Sequence, residues 1–162
     1  MKMELVFNLF EPIADKRSHT LILGTMPSRK SREANFYYAH PCNRFWKVIA
    51  ESFNRPLPKD VEEKTILLLS NGIALWDVLD SCEISGANDA SIRKQRCRNI
   101  AEFISDKAIK KILCNGSKAF KLCSELKLVL PVICMPSTSP ANASWSFECL
   151  LEAWRPELKD QL

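Results

Sequence analysis

The chain has 162 residues, 46% hydrophobic and 26% charged, and its 23 basic and 19 acidic side chains leave a net charge of +4. That is ordinary composition for a soluble globular chain, long enough for one domain with a real core over 1–162, and only weakly basic. The longest apolar runs, such as 66–69, are far too short to span a bilayer, and Glu4 and Glu11 break up the N-terminus, so neither a membrane anchor nor a signal peptide is expected.

Residues 1–18, with Phe7, Phe10, Pro12 and Ile13, are expected to form an extended arm closing on the body. The apolar run in Thr20–Gly24 predicts the first strand, ended by Gly24 and Pro27, and 28–32 reads as a polar, basic loop. Residues 41–53 predict a helix: Phe45, Trp46, Ile49, Ala50 and Phe53 share one side, and Pro41 suits its first turn. Phe45 and Trp46 are therefore assigned to the core. A second helix is expected over 59–70, stopped by Asn71-Gly72. Residues 73–79 predict the second strand, with Asp77 near its end, followed by a loop over 81–89 and a basic helix over 92–105. Lys111–Asn115 predicts the third strand, 118–126 the next helix, and 129–134 the fourth strand, with Pro131 marking it as edge or irregular. A second polar loop spans 135–144, and a last helix 147–154. The alternating β-α order predicts an α/β fold: a parallel sheet flanked by helices.

The loops leaving the first and last strands both carry a Met-Pro-Ser step, Met26-Pro27-Ser28 and Met135-Pro136-Ser137. In a parallel sheet such loops converge on one crevice. Proline fixes each turn, and the serines and backbone amides can meet phosphate oxygens. Between them the first loop inserts Phe36, Tyr37, Tyr38 and His40, which offer stacking faces and an imidazole. Basic clusters at 29–32, at 93–98 and at Lys107, Lys110, Lys111, Lys118 and Lys121 suit a polyanion, although each alone reads more readily as a solvated helix face. Other chemistries fit worse. Four glycines include no phosphate cradle, no GxSxG elbow makes Ser28 a nucleophile, and His19 has no partner motif. Seven cysteines without a CxxC step and two histidines give no ligand spacing, so no metal is expected; the thiols read as buried and reduced in a cytoplasmic protein.

Three stretches carry a resemblance: Gly24-Thr25-Met26-Pro27-Ser28, the run YYAHPCNRFW at 37–46, and MPSTSPANA at 135–143. Together they resemble the uracil-DNA glycosylase superfamily, close to its mismatch-specific branch and closer to its hypoxanthine-DNA (deoxyinosine) branch. The resemblance implies a three-layer α/β/α sandwich around a central four-stranded, mainly parallel sheet. It implies hydrolysis of the N-glycosidic bond of a deaminated base, chiefly hypoxanthine, flipped out of the helix. The implied partner is double- or single-stranded DNA carrying that base, met by a monomer without cofactor. Thr25, Met26, Tyr38 and His40 would bind the base, with the Tyr38 ring as a stacking platform that needs its π-face rather than its hydroxyl. Pro27, Ser28, Pro136, Ser137, Thr138, Ser139, Pro140, Ala141 and Asn142 would contact DNA, and Pro140-Ala141-Asn142 could enter the gap left in the duplex. One position departs from the uracil-specific pattern: Met26 stands where a polar residue orients the attacking water, and a thioether cannot do that. The deoxyinosine branch uses the asparagine of the second run, which maps to Asn43. Its amide would orient water and support charge as the sugar becomes oxocarbenium-like. The competing readings are a uracil or G/U-mismatch glycosylase, and a catalytically silent module that recognises damage through the same pocket.

Overall fold

In a computed structural model that describes residues 2–85 and 91–160, the apolar run Thr20–Gly24 is strand β2, buried at all five positions. It lies between β3 (Ile73–Asp77) and β6 (Lys111–Asn115), and β7 (Val132–Met135) adds beyond β6. The order is β3-β2-β6-β7 and every pairing is parallel. Continuous apolar runs are what a parallel sheet covered on both faces requires. One face is covered by α2 (Phe45–Ser52), α3 (Val61–Leu69) and α6 (Phe147–Lys159), whose Phe45, Ile49, Leu68, Leu150 and Trp154 pack with Ile22, Leu75 and Leu113. The other face, with Leu21, Leu23, Ala74 and Ile112, meets Ile100 of α4 (Ile100–Ile104) and Ala119 and Leu122 of α5 (Ser117–Glu125). The sheet is therefore the middle of three layers, as expected from the sequence.

The middle of the chain departs from expectation. Part of the loop expected over 81–89 is strand: β4 (Leu79–Ile84) pairs antiparallel with β1 (Glu4–Phe7) and with β5 (Arg93–Cys97), in the order β1-β4-β5. Residues 86–89 of that loop lie outside the described residues. The helix expected over 92–105 is replaced by β5 and the short α4. Ile92 and Ile100 are both buried and their spacing imitates a helical stripe, but the charged residues between them lie on an exposed strand, tied to β4 through Lys94–Glu83 at 3.2 Å and Arg96–Asp80 at 3.7 Å. The helix begins only where Asn99 Oδ1 accepts the N–H of Glu102 at 3.1 Å.

Smaller shifts follow the same logic. Residues 28–32 are not loop throughout: Ser28 caps a helix, α1 (Arg29–Ala34), accepting the Ser31 N–H at 3.2 Å. α2 starts at Phe45 rather than Pro41, because the Asn43 side chain accepts the Phe45 N–H and holds the chain in a turn. β7 starts after Pro131, and α6 continues past Trp154 through Pro156 because Leu158 is buried against the core. The arm does close on the body: Ile13 makes an antiparallel bridge to Leu75, covering the open edge of β3. Among the described residues no helix is long and apolar enough to cross a membrane. All seven cysteines are free, but Cys42, Cys134 and Cys149 are exposed rather than buried.

Candidate active site

A cavity of about 680 Å³ opens where β2, β3, β6 and β7 end, bordered by Gly24, Asp77, Asn115 and Ser137. Both Met-Pro-Ser loops reach it, as loops at the carboxyl ends of parallel strands should. Thr25, buried, and Met26 line it together with Pro27, Ser28, Tyr38, Asn43, Thr138, Ser139 and Ala141.

Asn43 is locked from one side only. Its Oδ1 accepts the backbone N–H of Phe45 at 2.9 Å and the hydroxyl of Thr138 at 2.9 Å. A backbone N–H can only donate, so this fixes which end of the amide is oxygen. Thr138, fully buried, is held in turn by Asn115: its Oγ1 accepts from Asn115 Nδ2 at 3.0 Å, and its N–H donates to Asn115 Oδ1 at 3.1 Å. The chain Asn115–Thr138–Asn43 thus joins the end of β6, the second loop and the turn before α2. With two donors already on the carbonyl, the Nδ2 protons are what Asn43, which lines the cavity, has left to offer. Such a group can hold a water by its oxygen, or a base by a carbonyl or ring nitrogen.

Tyr38 borders the cavity with its ring stacked on Phe45, centroids 4.0 Å apart and planes 23° off parallel. Its backbone sits in the left-handed region, φ 51°. Its hydroxyl is not a bystander. A Cβ on Gly24 would lie 2.8 Å from Tyr38 Oη and 2.5 Å from Asp77 Oδ1, so only glycine at this strand end admits both groups. Asp77 is 4% exposed, and its Oδ2 accepts from Asn8 Nδ2 at 3.0 Å. Sequence reasoning placed Asp77 near a strand end without giving it a part in the site. The available signal was an acid closing the apolar run Ile73-Ala74-Leu75-Trp76 at the ligand-binding end of a parallel strand. Tyr37 is core: its hydroxyl donates to the Glu11 carbonyl at 2.7 Å, and burial, then the Asp77 charge, pushes the phenol well above its ordinary range.

Four expected site residues, His40, Pro136, Pro140 and Asn142, do not line the cavity. His40 shapes its own turn, its Nδ1 accepting the Cys42 N–H at 3.0 Å and its carbonyl the Asn43 N–H at 2.9 Å. The Pro136 carbonyl accepts from Trp154 Nε1 at 2.9 Å, which pins the loop to α6. Pro140 is exposed, and Asn142 closes the second loop by donating from Nδ2 to the Ser137 carbonyl at 3.0 Å. His19 sits at the amino end of β2, away from the cavity, with Nδ1 3.0 Å from Thr20 Oγ1.

The residue passed over beside Asn43 is Arg44. Its guanidinium donates to the carbonyls of Ser139 at 3.0 Å, Asn142 at 3.1 Å and Trp145, and its N–H donates to the Thr138 carbonyl at 3.1 Å. A planar fork can serve several acceptors at once where an ammonium cannot. Arg44→Ala is expected to lower the unfolding free energy by about 1.5–3 kcal/mol, the range for hydrogen bonds to a charged group. Urea denaturation measures it; an unshifted midpoint would mean the clamp contributes nothing. Of the basic clusters, Arg29 and Arg32 border the cavity. Others are used internally: Arg98 lies 4.4 Å over the Trp76 ring, and Lys111, 1% exposed, pairs with Glu157 at 3.3 Å.

A sequence model of the Uracil DNA glycosylase superfamily matches residues 12–158, and the chain belongs to that superfamily. Hypoxanthine DNA glycosylase from Methanosarcina barkeri is 30% identical over 113 residues, 68% of this chain and 71% of that protein. The protein of the same name from Methanosarcina acetivorans is 29% identical over 140 residues, 85% of this chain and 89% of its own length. The solution NMR structure of a uracil DNA glycosylase candidate from Methanosarcina acetivorans superposes with a TM-score of 0.84 at 26% identity, covering 96% of this chain and 98% of that one.

Proposed function

We propose that this chain excises a deaminated base from DNA, hypoxanthine first, by flipping the nucleotide into the cavity and hydrolysing its N-glycosidic bond. The observation that carries the reading is the fixed amide of Asn43, whose carbonyl is committed to Phe45 and Thr138 and whose donor end serves the cavity. Unstacking the nucleotide costs a few kcal/mol, and stacking on the Tyr38 ring, backed by Phe45, returns about 1–3 kcal/mol. The buried carboxylate of Asp77 and the Asn43 amide form an acceptor and a donor. The lactam edge of a deaminated base, an N–H beside a C=O, pairs with both. Asn43 donates to the oxygen of the attacking water or to an acceptor on the departing base, and no cofactor or metal is needed for either. Ser28 and Ser137, with the arginines at the rim, meet the flanking phosphates. The names of the relatives support hypoxanthine over uracil, and Met26 supports it independently, because it leaves no polar group at the position that orients water for uracil.

Single-turnover assays on duplexes carrying inosine, uracil or xanthine, followed by alkali cleavage, test this. Release is expected to be fastest from inosine. Fastest release from uracil overturns the choice of base. Binding without release from any of the three supports the silent module instead.

A further inference from the structure

Of the four tryptophans, three have settled places. Trp46 Nε1 donates to the Tyr37 carbonyl at 3.1 Å, Trp76 Nε1 to Phe10 at 3.2 Å, and Trp154 Nε1 to Pro136 at 2.9 Å. Trp145 differs. It is 38% exposed, and among the described residues its side chain has neither a hydrogen bond nor a ring contact. The exposed part of this large side chain is apolar surface that a partner can cover. Its backbone, by contrast, is held. The Arg44 guanidinium that binds the Trp145 carbonyl also binds the carbonyl of Ser139, which lines the cavity. The Trp145 carbonyl is therefore held by the same guanidinium as the carbonyl of a cavity-lining residue, one position past the second loop. Of the residues expected to enter the duplex, Asn142 is tied by its side chain to the Ser137 carbonyl.

We propose that Trp145 stacks on the nucleobase beside the flipped nucleotide and fills the gap it leaves. The proposal rests on the base-flipping reading above. An indole is sequence-tolerant as a stacking partner because every base has a π-face, and it carries no charge, so it adds affinity without adding counterion release.

The test uses the full chain and a duplex with a tetrahydrofuran abasic analogue, so that no reaction intervenes. Tryptophan emission is expected to be quenched on binding, and the quench to vanish in Trp145→Phe. Trp145→Ala is expected to weaken binding, measured by anisotropy, about 5- to 150-fold, equivalent to about 1–3 kcal/mol of stacking. Trp145→Phe should retain most of the affinity. The slope of log affinity against log salt should be the same in all three proteins, with unchanged melting temperatures. Wild-type affinity in Trp145→Ala, or a quench that persists in Trp145→Phe, overturns the proposal. Base release by a protein whose Trp145 emission ignores DNA removes this proposal and leaves the function reading. A Trp145 quench without release from any lesion removes that reading and leaves the stacking.

Discussion

Asn43→Ala is expected to cut single-turnover base release about 10²–10³-fold, the loss typical of one preorganised hydrogen-bond donor, with binding to lesion DNA largely kept. The sharper variant is Asn43→Asp. A carboxylate keeps an oxygen for the Phe45 N–H and the Thr138 hydroxyl, so the turn before α2 survives, but it has no protons to present. If the donor end does the work, Asn43→Asp fails as badly as Asn43→Ala. Wild-type release from Asn43→Asp would instead make the carbonyl the working end, against the geometry. A folded Asn43→Ala protein with near-normal rates would take Asn43 out of the chemistry altogether.

Gly24→Ala is the second large effect. The new methyl would meet Asp77 Oδ1 at 2.5 Å and Tyr38 Oη at 2.8 Å, closer than side-chain carbons pack, so the carboxylate, the phenol or the strand end must move. Overpacking of this kind costs about 1–3 kcal/mol of stability. Because both displaced groups border the cavity, release should also fall about 10²-fold, the scale of a 1 Å misplacement near reacting atoms. Gly72→Ala is the control. Gly72 has φ +71°, and a Cβ there would come within 2.3 Å of the His19 ring, at the opposite end of the sheet. It should lose stability while the folded fraction keeps its specific rate. Melting curves beside single-turnover rates separate the two. Equal losses of rate per folded molecule in both variants would show that Gly24 has no special relation to the site.

These effects also mark what the sequence could and could not reveal. β2 and β6 were legible because a doubly covered parallel strand is a short apolar run, and both fall where that run predicts. The two Met-Pro-Ser loops converge for the same reason. β5 was not legible, since what makes Arg93–Cys97 a strand is Glu83 and Asp80 across the ladder, while its own residues read as a charged helix face. Asn43 could be picked out locally, but not its tie to Thr138, 95 residues away, which links it to Asn115 at the end of β6. Arg44 was hidden in the same way: its three acceptors lie 95 to 101 residues further on. Asp77 needed both its distant partner Asn8 and the missing side chain of Gly24 to be recognised.

The N-terminal arm sets an order on how the molecule can be made. Asn8 waits for Asp77, a partner 69 positions later, and β1 waits for β4, where Glu4 pairs with Ile84. During synthesis β1 emerges with nothing to pair against, and stays so until the residues of β4, Ile84 opposite Glu4, have followed. Contacts of such long sequence separation form slowly, and an unpaired strand bearing Leu5 and Phe7, with Leu9 just beyond it, is a sticky one in the interval. The carboxylate at the cavity is thus set in place by a partner translated 69 positions before it.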